Sequence, residues 1–582
     1  MKRRTGIGLM MAGLVLAVLS GCGGPKGPEP IKITVGQGTD PVILDPPMYS
    51  DTPTHNVTLL IYDRLYELTK DGRVEPNLAV DLPKIEDSGT QYTIKIKDGV
   101  KFHNGNKLTI DDVLFSFQRG AFHEKSQMRS IFAMMYDVQK VDESTFSFRT
   151  GKFDPGKAPA GTQDADLKSF EARTQYYKPA AFGSQLNQLT WLGASILDKE
   201  TMEKAQSDGT IKDYGVTSAV GTGPYKFESW TQGDNVTLTR NPDAFDKTVK
   251  SNADKFVFKT IKDPSALKTA FLNKEVDLIM NVVPLDAREI EKQGAKILTT
   301  HGYFGYHYLG FNMKSPKVGQ VNKDGSPDLD GVYDLKADST KLRMAIFYSI
   351  NPSDIVNSPD IMDKRGIVSL QYVESLPFGH ISDPAGMRIA EGNNQTGYFN
   401  PQKAKQLFDS LPASYKKPAS LKCTALSGSV YLKEALVVKD QVKKTLGVDL
   451  IEIEQVALSE LATRRRNTDP KVWDMLVNWT QTDDSYYIFV AFDGFNTSLL
   501  HDTKYYTKAA QEWIDKGNSL PNGPDRNTAY QNAQKAILQD IPRVPLVAMQ
   551  GISASQPSIE GVEIMPSGSF RLRNAVKTLP KK

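Results

Sequence analysis

Residues 92–113 read Tyr-Thr-Ile-Lys-Ile-Lys-Asp-Gly-Val-Lys-Phe-His-Asn-Gly-Asn-Lys-Leu-Thr-Ile-Asp-Asp-Val. From Gln91 to Ile96, apolar and polar residues alternate, the signature of a half-buried strand. Asp98-Gly99 and Asn104-Gly105 are turn pairs, because glycine takes a positive φ without a Cβ clash. Thr109 can then cap a helix by accepting a hydrogen bond from its first turn. Asp111 and Asp112 lie in that turn, where the helix dipole favours acids. Phe102 and Val113 are the expected core contacts. The segment predicts a small sheet tied by tight turns to a covering helix.

Strand and helix signals alternate on either side of it. Ile31 to Val35 opens the folded body with a period-two strand. Asp263-Pro264, Asn351-Pro352 and Asn400-Pro401 each place proline at a first helical position after a capping residue. Ala404, Leu407, Phe408 and Leu411 give one helical stripe. Leu432, Leu436, Val437 and Val442 are read as lining another, which ends at Leu446 with Gly447 beyond it. Val448 to Ile453 follows as a strand. Residues 151–166 and 315–338 are read as loop insertions. Helices interleaved with strands imply mixed α/β layers. No 20–50-residue period recurs, which excludes solenoids and propellers.

The chain has 582 residues, 39% hydrophobic and 24% charged, so collagen, coiled coil and wholesale disorder are excluded. Its 71 basic and 68 acidic residues nearly balance. Lys2, Arg3 and Arg4 account for the excess, and no global positive field points to nucleic acid. These residues precede a short apolar run, Ile7 to Leu19, too short to cross ~30 Å of hydrocarbon comfortably. The pattern is that of an export signal over residues 1–21. It ends in Leu19-Ser20-Gly21-Cys22, which resembles a bacterial lipobox, with cleavage before Cys22 and acylation of its thiol. Residues 22–30, rich in glycine and proline, read as a tether. The expected location is therefore the cell envelope, outside the cytoplasmic membrane, with a lipid anchor. Cys423 is then left without a partner and is read as a buried, inert thiol.

Catalytic patterns are missing. There is no phosphate-binding loop, no G-x-G-x-x-G after a strand, no H-E-x-x-H and no G-x-S-x-G. No two histidines stand four apart, and no second cysteine is available for zinc. Arg464-Arg465-Arg466 reads as a solvated helix end or an anion clamp. The aromatic run His301 to Tyr308 reads as a core strand or a cleft wall. No cofactor, metal or enzymatic activity is expected.

Several strings occur together in order. Val74-Glu75-Pro76-Asn77-Leu78-Ala79, the 92–105 segment and Leu108 to Val113 come first. Gly221-Thr222-Gly223-Pro224-Tyr225-Lys226-Phe227, Arg240-Asn241-Pro242-Asp243, Tyr308-Leu309-Gly310-Phe311-Asn312, Leu342 to Asn351 and Pro545-Leu546-Val547 follow. The series resembles the family-5 solute-binding proteins, the oligopeptide-, dipeptide- and nickel-type subunits of ABC importers. The resemblance implies an α/β, two-lobe periplasmic-binding-protein-like fold (type II, cluster C). Lobe I would comprise residues 31–300 plus 545–582, with an extra subdomain near 66–200, and lobe II residues 301–544. It also implies capture of a ligand between the lobes, and delivery to a membrane permease with its ATPase. A short peptide is the expected ligand. An oligosaccharide, an opine or a metal chelate on the same fold is the alternative, and an exported hydrolase a remoter one. A monomer is expected.

Val477 to Asp484 resembles the family's G-W-x-x-D-Y-x-D-P segment, whose Asp pairs with a peptide ammonium. Trp479 matches, but the third position after it is Thr482, and Asp483 and Asp484 come later. The resemblance therefore implies Trp479, Thr482, Asp483 and Asp484 as ligand contacts, with either acid or neither taking the ammonium. Trp479 is read as a cleft ring or as lobe packing. Tyr49, after Leu44-Asp45-Pro46, stands where the family's first loop approaches the ligand.

Overall fold

The computed structural model describes residues 30–49, 51–320, 337–384, 387–390, 397–415, 418–467, 469, 472–482, 484–494 and 501–580. The 1–21 signal, Cys22, the rest of the tether before Pro30, and Asp483 lie outside the described residues.

Two large sheets organise the chain. The first has seven strands in the order Lys296–Thr299, Ile552–Ser555, Leu278–Ile279, Lys32–Gln37, Lys255–Thr260, Asn235–Arg240 and Tyr225–Thr231. Lys32–Gln37 is central and parallel to both of its neighbours. Its Ile33 and Val35 join Val57, Leu60 and Ile61 of helix Thr52–Ile61 in one core. Leu267 and Phe271 of helix Pro264–Leu272 pack with Val276 and Ile279 in a separate core. A Cβ on Gly36 would sit 2.6 Å from Leu267 Cδ1, so this helix approaches as closely as it does only over a glycine.

The second sheet has six strands, in the order Gly366–Val368, Arg543–Met549, Gly305–Phe311, Met475–Gln481, Leu421–Leu426 and Ile451–Val456. Helix Val430–Leu446 covers part of it. Ser429 caps the helix through Leu432 N, and Gly447 closes it at φ +80°. Its buried side is Ala435, Val438, Val442 and Leu446. Leu436 falls off that stripe and is 48% exposed, so the sequence assignment of Leu436 to the core face is wrong by one helical step. The strand that follows starts at Ile451, later than the expected Val448.

A smaller sheet contains Lys84–Glu86, Gln91–Lys95, Thr145–Phe153 and Met135–Lys140, with Tyr177–Pro179 added alongside Thr145–Phe153. Helix Ile110–Phe122 lies over it. Thr109 and Asp112 form a reciprocal capping box, with Thr109 N donating to Asp112 Oδ2 at 2.8 Å. Gly99 and Gly105 hold φ values of +74° and +97° at the two turns. Phe102, Val113, Ile94 and Phe148 share one core.

The chain passes between the large sheets twice, after Thr299 and again between Met549 and Ile552. The two crossings are stitched together. Thr300 N donates to Gly551 O at 3.2 Å, and Gln550 Nε2 donates to Thr300 O at 2.6 Å. Strand Arg543–Met549, with Pro545, belongs to the second sheet, so the return to the first falls at Gln550-Gly551 rather than at residue 545. Its pairing with Gly305–Phe311 and Gly366–Val368 holds it there.

The second half encloses a charged knot. Arg543 Nη2 donates to Asp502 Oδ1 at 2.6 Å, and the Tyr308 hydroxyl donates to Asp502 Oδ2 at 2.6 Å. Arg465 Nε lies 3.3 Å from the same carboxylate, and the Arg543 guanidinium stacks over Tyr308 at 4.3 Å. Burial works to raise the Asp502 pKa, but Arg543 and Arg465 outweigh it and hold the carboxyl below its usual range. Asp502→Ala is expected to cost about 3–5 kcal/mol by leaving buried cations unmatched. Urea unfolding of the second half checks this. Because the folded pKa is depressed, the stabilisation is complete above the ordinary carboxylate range and fades as pH falls through it. The wild-type advantage over Asp502→Ala should shrink accordingly in acid.

Candidate functional site

A cavity of about 370 Å³ lies where all three sheet regions meet. The first half supplies Tyr49, Asp51, His55 and Arg64, around helix Thr52–Ile61, and the turn Met565–Ser567. The small-sheet region supplies Met128 and residues 190–192, and the second half supplies Gln481 and Thr482. The volume falls within the ~300–1,000 Å³ typical of small-ligand pockets.

The halves are held together around this cavity. Gln481 Nε2 donates to Pro566 O at 3.0 Å. Arg526 of helix Pro524–Asp540 donates to Gly183 O at 3.0 Å and also to Ser184 Oγ. Gly183 N donates back to Asn518 O at 2.9 Å. The Trp191 indole stacks on Tyr487, centroids 5.0 Å apart. Outside the cavity lining, Arg365 pairs with Glu291 at 2.8 Å and Arg288 Nε donates to Asp363 at 2.8 Å.

The residues singled out in the sequence scatter around this geometry. Tyr49 lines the cavity, but its hydroxyl is shared with Thr58 Oγ1 and burial holds its pKa well above the usual tyrosine value. Its hydroxyl is therefore already engaged within the protein. Thr482 lines the cavity, with its amide donating to Phe304 O at 3.0 Å. Trp479 sits three residues before it on strand Met475–Gln481. Its half-buried ring stacks on Tyr431, centroids 4.5 Å apart and planes 4° from parallel. Tyr431 in turn meets the edge of His307, which bonds Glu434 at 2.7 Å. Trp479 thus packs within its own half.

Asp484 is 3% exposed and is not part of the cavity lining. Its Oδ1 accepts from Tyr486 N at 3.0 Å, capping helix Ser485–Val490, and lies 3.8 Å from Arg526 Nη2. Its Oδ2 has no hydrogen-bond partner among the described residues. Two residues of the basic run are structural, and Arg466 is exposed. Arg464 pairs with Glu454 and Glu460, and Arg465 with Asp502. The Cys423 thiol is buried, and burial pushes its pKa up to about 12. Among the described residues no cluster is placed to hold a metal, and no helix is long and apolar enough to cross a membrane.

Sequence reasoning missed Arg64, His55, Trp191 and the Met565–Ser567 turn. Arg64 carried no clear signal, because Asp63 stands directly beside it in Ile61–Tyr66 and reads as its counter-ion. The turn carried none, because it is brought to the cavity only by the C-terminal return. His55 is held neutral. Burial, aided by Arg64, lowers its pKa to about 3, and its Nδ1 lies 3.1 Å from Ser569 Oγ.

Residues 73–497 match the model of the bacterial extracellular solute-binding proteins, family 5 middle region. The chain belongs to this family. Among relatives, the oligopeptide-binding protein AppA of Bacillus subtilis (strain 168) is 22% identical, with 97% of each chain covered. The probable D,D-dipeptide-binding periplasmic protein DdpA of Escherichia coli (strain K12) is also 22% identical, over 92% of each chain. Among solved structures, the ABC transporter substrate-binding protein CtaP of Listeria monocytogenes superposes with a TM-score of 0.73 at 21% identity. That match covers 94% of this chain and 99% of the other. AppA in complex with a nonapeptide superposes at 0.66 and 20% identity, covering 95% and 100%. The fold is that of the two-lobe periplasmic binding proteins, and the cavity of this family-5 protein lies between its lobes.

Arg526→Ala is expected to destabilise the protein by about 3–5 kcal/mol, since it strips Asp484 of its buried counter-ion. It should also enlarge the radius of gyration measured by small-angle scattering. Arg365→Ala, in a partly exposed pair with Glu291, should change stability by less than about 1 kcal/mol. Equal radii for wild type and Arg526→Ala would show that other contacts hold the lobes.

Proposed function

We propose that this protein is the extracytoplasmic capture subunit of an ABC importer. It takes a short peptide into the interlobe cavity and presents the closed form to a membrane permease and its ATPase. The observation that carries the reading is the cavity itself, walled by both lobes and the subdomain in a family of solute-binding proteins. Peptide chemistry suits the lining, which pairs the rings of Tyr49 and Trp191 with the Thr190, Thr482 and Gln481 polar groups. Relatives named for oligopeptide and dipeptide binding support the same ligand class. The protein binds without chemical turnover, and closure converts ligand energy into a docking signal. Lobe I is assigned to 31–300 with the C-terminal segment, lobe II to the residues between, and the subdomain to about 66–200.

A non-peptide solute is the second reading. It is favoured by Thr482 standing where peptide-binding members carry Asp, and by the engagement of Asp484 with Arg526. Thermal unfolding with di-, tri- and pentapeptides, sugars and nickel chelates separates the two. A ligand at 100 times its Kd adds about 2.7 kcal/mol to the folded state. A rise with peptides alone is the expected result, and a rise with sugars or chelates alone moves the assignment to the second reading.

Cys22 is proposed as the acylated residue after removal of 1–21, anchoring a monomer to the outer face of a membrane. Cys22→Ser should abolish palmitate labelling in cells and move the protein from the detergent phase to the aqueous phase. Unchanged partitioning would remove the anchor.

A further inference from the structure

Arg64 leaves helix Thr52–Ile61 just past its end and borders the cavity. It is 5% exposed, yet neither Nε nor Nη1 has a hydrogen-bond partner among the described residues. Its Nη2 lies 3.6 Å from Glu67 Oε1, beyond hydrogen-bond distance.

The nearby acids are already committed. Glu67 Oε1 accepts from Arg573 at 2.8 Å, and its Oε2 accepts from Arg571. Asp63 accepts from Arg573 at 2.9 Å, Asn77 at 3.1 Å and Thr222 at 2.8 Å. Three guanidiniums thus share two inner carboxylates, and the outer acid, Asp246, lies 3.6 Å from Arg573 rather than beside Arg64. Asp51, also on the cavity wall, spends both oxygens on Thr54. His55 is neutral and adds no negative charge. A guanidinium taken out of water without acceptors is unfavourable, and Arg64 is part of the wall of the space where the ligand sits.

We propose that Arg64 is the anion subsite of the interlobe cavity and receives a carboxylate of the bound ligand. The planar guanidinium matches a carboxylate with two parallel hydrogen bonds, which a water molecule does not reproduce. Closure over a neutral ligand leaves the cation buried and unmatched, so an anionic group favours the closed form. The proposal deepens the peptide reading and rests on it for the ligand class. A peptide supplies such a group from its C-terminus or from an acidic side chain.

Calorimetric titration tests it with alanine peptides of two to five residues, as free acids and as C-terminal amides, and with Ala-Glu-Ala amide. In the wild type the free acids should bind at least about tenfold more tightly than the amides, the margin of one charge-assisted pair. In Arg64→Met the margin should collapse. Arg64→Lys, which keeps the charge and loses the fork, should fall between. Ala-Glu-Ala amide binding as well as the free acids assigns the group to a side chain, and binding as weakly as the other amides assigns it to the C-terminus. Equal affinities of acids and amides for the wild type overturn the proposal without any variant having to fold. If no peptide binds, the peptide reading falls, and N-acetylglycine then decides the subsite alone. Stabilisation of the wild type but not of Arg64→Met keeps it, and no difference removes it.

Discussion

Arg526 is 1% exposed, yet the groups that satisfy it come from both halves of the chain. Gly183 O and Ser184 lie on one side, and Asn522, Tyr530 and Asp484 on the other. A guanidinium removed from water needs most of its donors matched. The second half gives each guanidinium nitrogen one acceptor, with Gly517 O on Nε, and the first half adds Gly183 O and Ser184 Oγ, so one buried side chain bridges the two. The cavity follows, because its walls are contributed from both sides of that contact. The pairs at Arg288 and Arg365 are more exposed and add registration rather than much energy.

Buried arginines recur through the molecule, and their surroundings differ in an instructive way. Arg543 is paired with Asp502 and stacked on Tyr308, and belongs to the framework of its lobe. Arg573 ties the C-terminal return to Asp63 and Glu67, which brings the Met565–Ser567 turn to the cavity. Arg64 shares the neighbourhood but not the partners. One arithmetic of charges thus separates two structural cations from one on the cavity wall left short of a carboxylate.

Much of the fold was legible from local chemistry. The 92–113 segment folds as its residues dictate, because caps, turn glycines and alternation act within a few residues of one another. The Ser429–Gly447 helix was legible for the same reason, although Leu436 was placed on its buried side. What escaped the sequence depends on distant packing. Nothing local says that Pro545 pairs with Tyr308, or that Asp484 caps a helix beside Arg526. Trp479 was found as a notable ring, but its stack on Tyr431 is set by a helix that arrives from elsewhere in the chain. Arg64 stands beside Asp63 in the sequence and looks matched there, and only the partners of Glu67 and Asp63, several of them from the C-terminus, reveal that it is not.

The two crossings between the large sheets are bonded to each other at Thr300, Gln550 and Gly551. Mechanically this is a short ribbon rather than a pair of independent tethers. A ribbon folds readily across its flat face but resists sliding along its length and shearing in its plane. The clamp is therefore guided along a single angular coordinate, and its arms return to the same alignment on every cycle of opening.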